Sequence, residues 1–310
     1  MARTEMEYRR RPLGYRVRKY RLLIPLVLIG VAYYFVFNYI PIIWGFIISL
    51  KDMKVGSTIM NAPWVGLQHY KYVLNDPEML KLLRNTLTIS ISRLICTFFP
   101  PIFLTIIIFD LRSTVFKKIG QTLVYIPHFF SWVIIYGIVF AFFSESGFVN
   151  ALITSLGGKS YSFMTSSKAF VPLLVGSQVW KEAGWSTILY FAALTGVNPE
   201  LYEAAKIDGA GPLARIKAVT LPAMIPVITF SLIMAMGNIL STDFEQILLY
   251  YNAAVYDVAD VIDTWVYRVG LGRMQYGVGS AVSMMKAVVS LILIVGANAL
   301  SRKVAGRGMF

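Results

Sequence analysis

Six stretches of the chain, 22–50, 85–109, 119–143, 171–197, 223–250 and 278–300, each run for more than twenty residues with few or no charges. A bilayer core of roughly 30 Å is crossed by about 20 apolar helical residues, and lipid offers no partner to an open strand edge, so windows of this length predict membrane-spanning helices. Composition agrees, because 57% hydrophobic and 15% charged residues leave too little polar surface to wrap a water-soluble globule of 310 residues. A single cysteine, Cys96, excludes an internal disulfide framework. The expected fold is all-α and integral to the membrane: a six-helix domain over 22–300, between a basic tail at 1–21 and a second tail at 301–310. The first window is a retained span rather than a signal peptide, since its apolar stretch is too long for an h-region and no small-x-small site closes it. Pro25, Pro41, Pro100, Pro101, Pro127, Pro172 and Pro226 fall within the windows, where neighbouring helices can satisfy the freed carbonyls, so kinks are expected.

The excess of 29 Lys and Arg over 16 Asp and Glu is a matter of topology. Between the spans, 17 basic residues fall on one side, including Arg3, Arg9, Arg10, Arg11, Arg16, Arg18, Lys19 and Arg21, then Arg112, Lys117, Lys118, Lys206, Arg215, Lys217, Arg302, Lys303 and Arg307. The other side has 9, spread over longer loops. Both termini are therefore expected in the cytoplasm. The same reading explains the basic N-terminal run by a membrane surface, with lipid as its partner and no nucleic acid, because no base-reading fold stands behind it.

One cytoplasmic loop, 198–222, has the chemistry of a rigid helical elbow. Asn198 can cap a helix, Pro199 suits its first turn, Glu200 complements its positive end and Gly209 stops it. Pro212 opens a second short helix through Arg215 and Val219, and Leu221-Pro222 is expected to turn the chain into the fifth span. Ala204 and Ala205 present almost no side chain, so another protein surface can approach closely, with Glu203 as a fixed charge beside them. An amphipathic hairpin resting on lipid headgroups is the alternative for this segment.

Glu203-Ala204-Ala205, followed after three residues by Gly209 and after nine more by Val219-Thr220-Leu221-Pro222, resembles the EAA loop of membrane subunits in binding-protein-dependent ABC importers. Valine at 219 stands where that family usually has isoleucine. Trp180-Lys181, Gly184-Trp185, Ala192-Ala193-Leu194 and Phe244-Glu245-Gln246-Ile247 are similar to the maltose-type carbohydrate permeases, and the likeness extends over most of the chain. The resemblance implies the type I importer permease fold and a carbohydrate, in particular an oligosaccharide, as the solute. It further implies partners: a second permease subunit, more often a different chain, a cytosolic ATPase dimer and an extracellular or periplasmic solute-binding protein. ATP and Mg2+ would be used by the ATPase, with no cofactor held by this chain and no enzymatic activity of its own. By position, Glu203, Ala204, Ala205, Asp208, Gly209, Leu221 and Pro222 would form the coupling surface, and the location would be a bacterial cell membrane.

Six ionisable residues, Arg93, Lys181, Glu182, Asp243, Glu245 and Lys286, fall within the windows, where charge is costly unless it faces protein or water. With the orientation above all six lie in the outer half of the membrane, which suggests a polar vestibule; paired structural roles, such as Lys181 or Lys286 with Glu182 or Glu245, are the alternative. Trp132, Tyr136, Trp180 and Tyr190 offer flat apolar faces, and Asn238 and Glu245 offer hydroxyl partners, so these six are candidates for lining a sugar path. Ordinary helix packing is the competing reading for each aromatic.

Other signals fail. Gly158-Lys159-Ser160 lacks the glycine a phosphate-binding loop needs five residues earlier, where Ile153 stands. His69 and His128 have no carboxylate or thiol companions at ligand spacing, so neither a metal nor a histidine-based catalytic unit is expected. A secondary transporter, or a permease for a non-sugar solute, is the alternative function. A membrane enzyme would need clustered acids or histidines at an interface, which the sequence lacks.

Overall fold

The computed structural model describes residue 14 and residues 18–54 and 56–305. Arg3, Arg9, Arg10, Arg11, Arg16 and Arg307 lie outside the described residues. Among the described residues five stretches are long and apolar enough to cross a membrane: Leu23–Ser49, Pro77–Asp110, Trp132–Ser155, Pro212–Gly237 and Tyr276–Lys303. In chain order the helices are α1 (Leu23–Ser49), α2 (Gln68–Asn75), α3 (Pro77–Asp110), α4 (Thr114–Tyr125), α5 (Trp132–Phe143), α6 (Phe148–Ser155) and α7 (Ser167–Thr195). They continue with α8 (Pro199–Ile207), α9 (Pro212–Gly237), α10 (Phe244–Tyr250), α11 (Tyr256–Ala259), α12 (Ile262–Trp265) and α13 (Tyr276–Ala305).

Prolines shape these helices without breaking most of them. Pro41 and Pro222 each lack the N–H that would bond the carbonyl four residues earlier, and each follows a widened turn, Phe35–Tyr39 and Ile216–Thr220, that absorbs the mismatch. Leu221-Pro222 is therefore not a turn into a new element, as the sequence suggested; α9 runs on through it to Gly237. α3 starts at Pro77 rather than near 85, because the Asp76 carboxylate accepts the Glu78 N–H at 2.9 Å and Pro77 occupies the first turn.

Two predicted windows are interrupted. The window 119–143 is split between α4 and α5 by a short 3-10 turn, Ile126–Phe129, because Pro127 cannot donate and Ser131 caps a new start at α5 by accepting the Ile134 N–H. The window 223–250 is split at 238–243, where Asn238 folds its amide back onto the Met234 carbonyl at 3.0 Å and Thr242 bonds out of the helix to Asp263. The predicted windows run across both interruptions, although the second carries the polar residues Asn238, Ser241, Thr242 and Asp243.

α3 and α7 run side by side and form the spine of the bundle. Near the end that carries 50–76 and 251–275, Val73, Leu82, Ile262, Trp265 and Val269 pack together. Further along, Ile89, Val139, Leu174, Ile247 and Tyr250 knit α3, α5, α7 and α10. At the opposite end Ile102, Tyr190, Leu194 and Met224 close the core beneath α8. The approach of α7 to α4 depends on Gly184, where a Cβ atom would lie 1.7 Å from the Val124 carbonyl oxygen. By contrast, α1 is almost wholly exposed over 23–39, with no buried residue in that stretch, as expected of a helix whose apolar surface meets lipid or another subunit.

Candidate coupling elbow and transport-path residues

α8 forms as its sequence directs. Asn198 accepts the Glu200 N–H at 3.1 Å and donates its amide to the Glu200 carboxylate at 3.0 Å, Pro199 fills the first turn, and Lys206 complements the negative end. Gly209 has φ +74°, and the Ala210 N–H reaches back to the Ala205 carbonyl at 2.9 Å while Gly209 N–H bonds Lys206 at 3.0 Å. This is a closed Schellman-type end, and a side chain at 209 would strain it.

Three contacts fix the elbow to the bundle. The Tyr202 hydroxyl lies 3.2 Å from Thr220 Oγ1, its ring is 6.1 Å from that of Phe109, and Arg215 pairs with Asp110 at 3.7 Å. Tyr202 thus faces inward and the other side of α8 faces out, leaving Glu203, Ala204, Asp208 and Gly209 exposed and Ala205 half-buried. Leu221 and Pro222 are also exposed, at the start of the long part of α9. Sequence reasoning missed Leu201, Ile207 and Leu213, which are 53%, 86% and 74% exposed around the alanines. Their signal was the recurrence of aliphatic side chains within an otherwise polar loop.

The charged residues within the predicted windows enter three networks, and two of these close on a helix interruption. In the first, Arg93 of α3 hydrogen-bonds the Gln246 side chain, whose amide donates to the Leu174 carbonyl at 2.8 Å and to Ser177 Oγ at 2.9 Å; Tyr250 joins through Ser177 at 3.0 Å. In the second, Lys181 Nζ donates to the His128 and Phe130 carbonyls at 2.6 and 2.7 Å, replacing the helical donors that the 126–131 interruption removes. Glu182 holds His128 Nδ1 at 2.8 Å, and the imidazole stacks on Trp185 with 4.2 Å between centroids and 4° between planes. In the third, Lys286 bonds Asp263 at 2.5 Å and Thr242 bonds the other oxygen of Asp263 at 2.8 Å. The sequence offered Glu182 or Glu245 as partners of Lys286; the partner is Asp263, and Glu245 is exposed.

The six path candidates do not share one cavity. Trp132 is buried, with Nε1 on Asp243 at 2.8 Å. Tyr136 sets its ring edge to face against Tyr250 at 5.1 Å, and Tyr190 is buried in the core beneath the elbow. Trp180 lines an apolar recess with Phe142, Phe143 and Pro172, whereas Asn238 lines a polar groove with Ser241, Asp263, Ser283, Lys286 and Ser290. Asp263, Gln246 and Asp243 were missed as network centres, because their partners lie on other helices.

Beyond the membrane-depth residues, Lys81 bonds Asp257 at 2.5 Å and holds that carboxyl below its usual range. Arg268 makes a two-pronged pair with buried Asp260 at 2.8 and 3.0 Å, and that carboxylate raises the guanidinium pKa further.

Residues 25–306 match the family model described as binding-protein-dependent transport system inner membrane component. This chain belongs to that family. It is a permease subunit, a transport component rather than an enzyme, and a multi-pass protein of the membrane. Among relatives of the permease, the polygalacturonan/rhamnogalacturonan transport system permease protein YteP of Bacillus subtilis is 39% identical over 97% of this chain and 94% of its own length. Protein LplB of the same organism is 40% identical over 94% and 90%. A bacterial ABC transporter involved in import of the acidic polysaccharide alginate superimposes with a TM-score of 0.84 at 35% identity, covering 94% of this chain and 99% of that one. The alginate transporter solved with its pentasaccharide-bound periplasmic protein gives 0.85 at 34% identity, over 96% and 99%. The all-helical architecture is that of an ABC importer permease.

Proposed function

We propose that this permease forms half of the translocation pathway of an ATP-driven oligosaccharide importer, and that α8 is the lever through which a cytosolic ATPase dimer, using ATP and Mg2+, drives it. A second permease subunit completes the pathway, and a solute-binding protein delivers the sugar from outside. The reading places both termini and the elbow in the cytoplasm, where the basic residues gather. It counts α7 as a sixth span, because 29 residues reach roughly 43 Å and its Lys181 and Glu182 are both satisfied by the 126–131 segment. Relatives named for polygalacturonan/rhamnogalacturonan and arabinooligosaccharide transport, and the alginate importer, support an oligosaccharide solute.

The observation that carries the reading is the elbow itself: capped at Asn198, closed at Gly209, tied down through Tyr202 and Arg215, and presenting Glu203, Ala204 and Ile207 outward. A rigid exposed helix transmits force; a floppy loop does not. Glu203→Lys and Gly209→Pro are expected to insert normally yet abolish solute-stimulated ATP hydrolysis in the reconstituted importer. Normal sugar uptake by both variants contradicts the proposal.

A further inference from the structure

The groove of about 550 Å³ between the end of α9 and the middle of α13 is polar in a place where polarity is costly. Lys286 lies ten residues from the start of α13 and seventeen from Lys303, roughly 15 Å and 26 Å along the helix, so it is deep within the span. Ser283 and Ser290 stand on the same face one turn to either side of it, and Asn238 and Ser241 face them across the groove. Ser241 and Ser290 make no side-chain hydrogen bond among the described residues, and nothing in the packing of this chain accounts for hydroxyls there. Asp263 is fixed from two directions, by Lys286 at one oxygen and the Thr242 hydroxyl at the other. Lys286 lines the groove with one of its three N–H groups on Asp263, and a four-carbon stem allows an ammonium to change partner where a short carboxylate side chain cannot follow. The wall therefore presents hydroxyls and an amide around a cation whose present counter-charge is held by a second bond as well.

We infer that Lys286 is the group by which this permease reads a carboxylate on the transported sugar, exchanging its bond to Asp263 for a bond to an acidic sugar residue while Ser241, Ser283, Ser290 and Asn238 meet the hydroxyls. The inference rests on the oligosaccharide reading above and extends it to an acidic sugar class and a specific residue. A carboxylate accepts charge-assisted bonds from an ammonium, whereas a neutral sugar gains only an ordinary hydrogen bond from it, so Lys286 distinguishes the two.

The test is uptake by the complete reconstituted importer, with its own unaltered binding protein, of an oligouronide and of the same oligomer with its carboxyl groups reduced to alcohols. Lys286→Met is expected to lower oligouronide uptake about tenfold, the scale of one lost charge-assisted bond, and to lower uptake of the reduced oligomer far less. Lys286→Arg is expected to retain the acidic solute. Because Lys286→Met leaves Asp263 with the Thr242 hydroxyl but no counter-charge, the double variant Lys286→Met with Asp263→Asn, which removes both charges, serves as the folded control and is expected to show the same selective loss. Equal loss of both solutes, or loss of neither, overturns the inference and leaves the importer reading standing. Failure of the unaltered importer to take up either solute removes the oligosaccharide reading and this inference with it.

Discussion

Trp132 Nε1 donates to Asp243 Oδ2 at 2.8 Å, and that one bond joins the two places where the membrane helices are interrupted. Trp132 opens α5 immediately after the 126–131 segment, and Asp243 closes the 238–243 segment immediately before α10. The interruptions are thus neighbours in the bundle, with the carbonyls of one satisfied by Lys181 and the carboxylate of the other engaged by an indole. Asp243→Ala leaves the buried indole N–H without an acceptor and removes the carboxylate charge that bears on Arg93. It is expected to destabilise the solubilised protein by about 1–3 kcal/mol, read as a lowered melting temperature, with Trp132→Phe recovering part of that cost because it removes the donor as well.

Gly184 tests how closely α7 must approach α4. A methyl group there would be 1.7 Å from a backbone oxygen, which cannot rotate away, so Gly184→Ala is expected to exceed the usual 1–3 kcal/mol of overpacking and to reduce folded yield sharply. Gly176→Ala on the same helix meets nothing within 4 Å and is expected to be neutral or slightly stabilising. Equal effects at the two positions in a thermal-stability assay would contradict the packing described.

On the elbow, apolar contact rather than charge is expected to dominate docking, because Glu203 is exposed and exposed ion pairs contribute about 1 kcal/mol at most. Burying Ile207 is worth about 1.5–3 kcal/mol, so Ile207→Ser is expected to weaken binding of the isolated ATPase about tenfold or more, and Glu203→Gln only slightly. Asn198→Ala, which removes the cap, is expected to cost about 1 kcal/mol of local helix stability, visible as faster amide exchange over 200–203.

The segment around Asp257 is expected to loosen in acid. Its carboxyl titrates below the usual range because Lys81 favours the ionised form, so the contribution is fully present above the ordinary carboxylate pKa of about 4 and is lost as pH falls through the lowered value. Amide exchange over 256–260 is expected to quicken in that window and to lose its pH dependence in Asp257→Asn. The Asn85 bonds to the carbonyls of 257 and 260, at 2.8 and 3.0 Å, do not titrate and are expected to keep the loosening local rather than release the segment.

Much of this architecture is legible in the sequence where a local rule decides. Asn198-Pro199-Glu200 and Gly209 announce the elbow, and each does in the structure what its side chain allows. Apolar length locates α1 and α13 closely, the far end of α3 but not its start at Pro77, and the body of α9 through Gly237. The interruptions at 126–131 and 238–243 are only partly legible: Pro127, Ser131 and the polar residues Asn238, Ser241, Thr242 and Asp243 permit a break, but the Lys181 ammonium and the Asp263 carboxylate that satisfy it come from elements distant in sequence. The same holds for Lys286: neither Glu182 nor Glu245 is its partner, since the carboxylate that meets it, Asp263, stands on the short helix α12 outside the predicted windows. Tyr190 and Trp132 illustrate the limit for aromatics, which serve packing as readily as they serve a sugar, and both are buried.

The most direct test of the coupling account is site-specific cross-linking at residue 203. With Cys96→Ser as background, Glu203→Cys is to be examined in the assembled importer, using a membrane-impermeant maleimide for sidedness and a short thiol-reactive cross-linker for contact. The account predicts labelling only from the cytoplasmic face and a cross-link to the ATPase whose yield changes when ATP is added. Labelling from the outside, or absence of any cross-link to the ATPase in an importer that is transporting sugar, would contradict it.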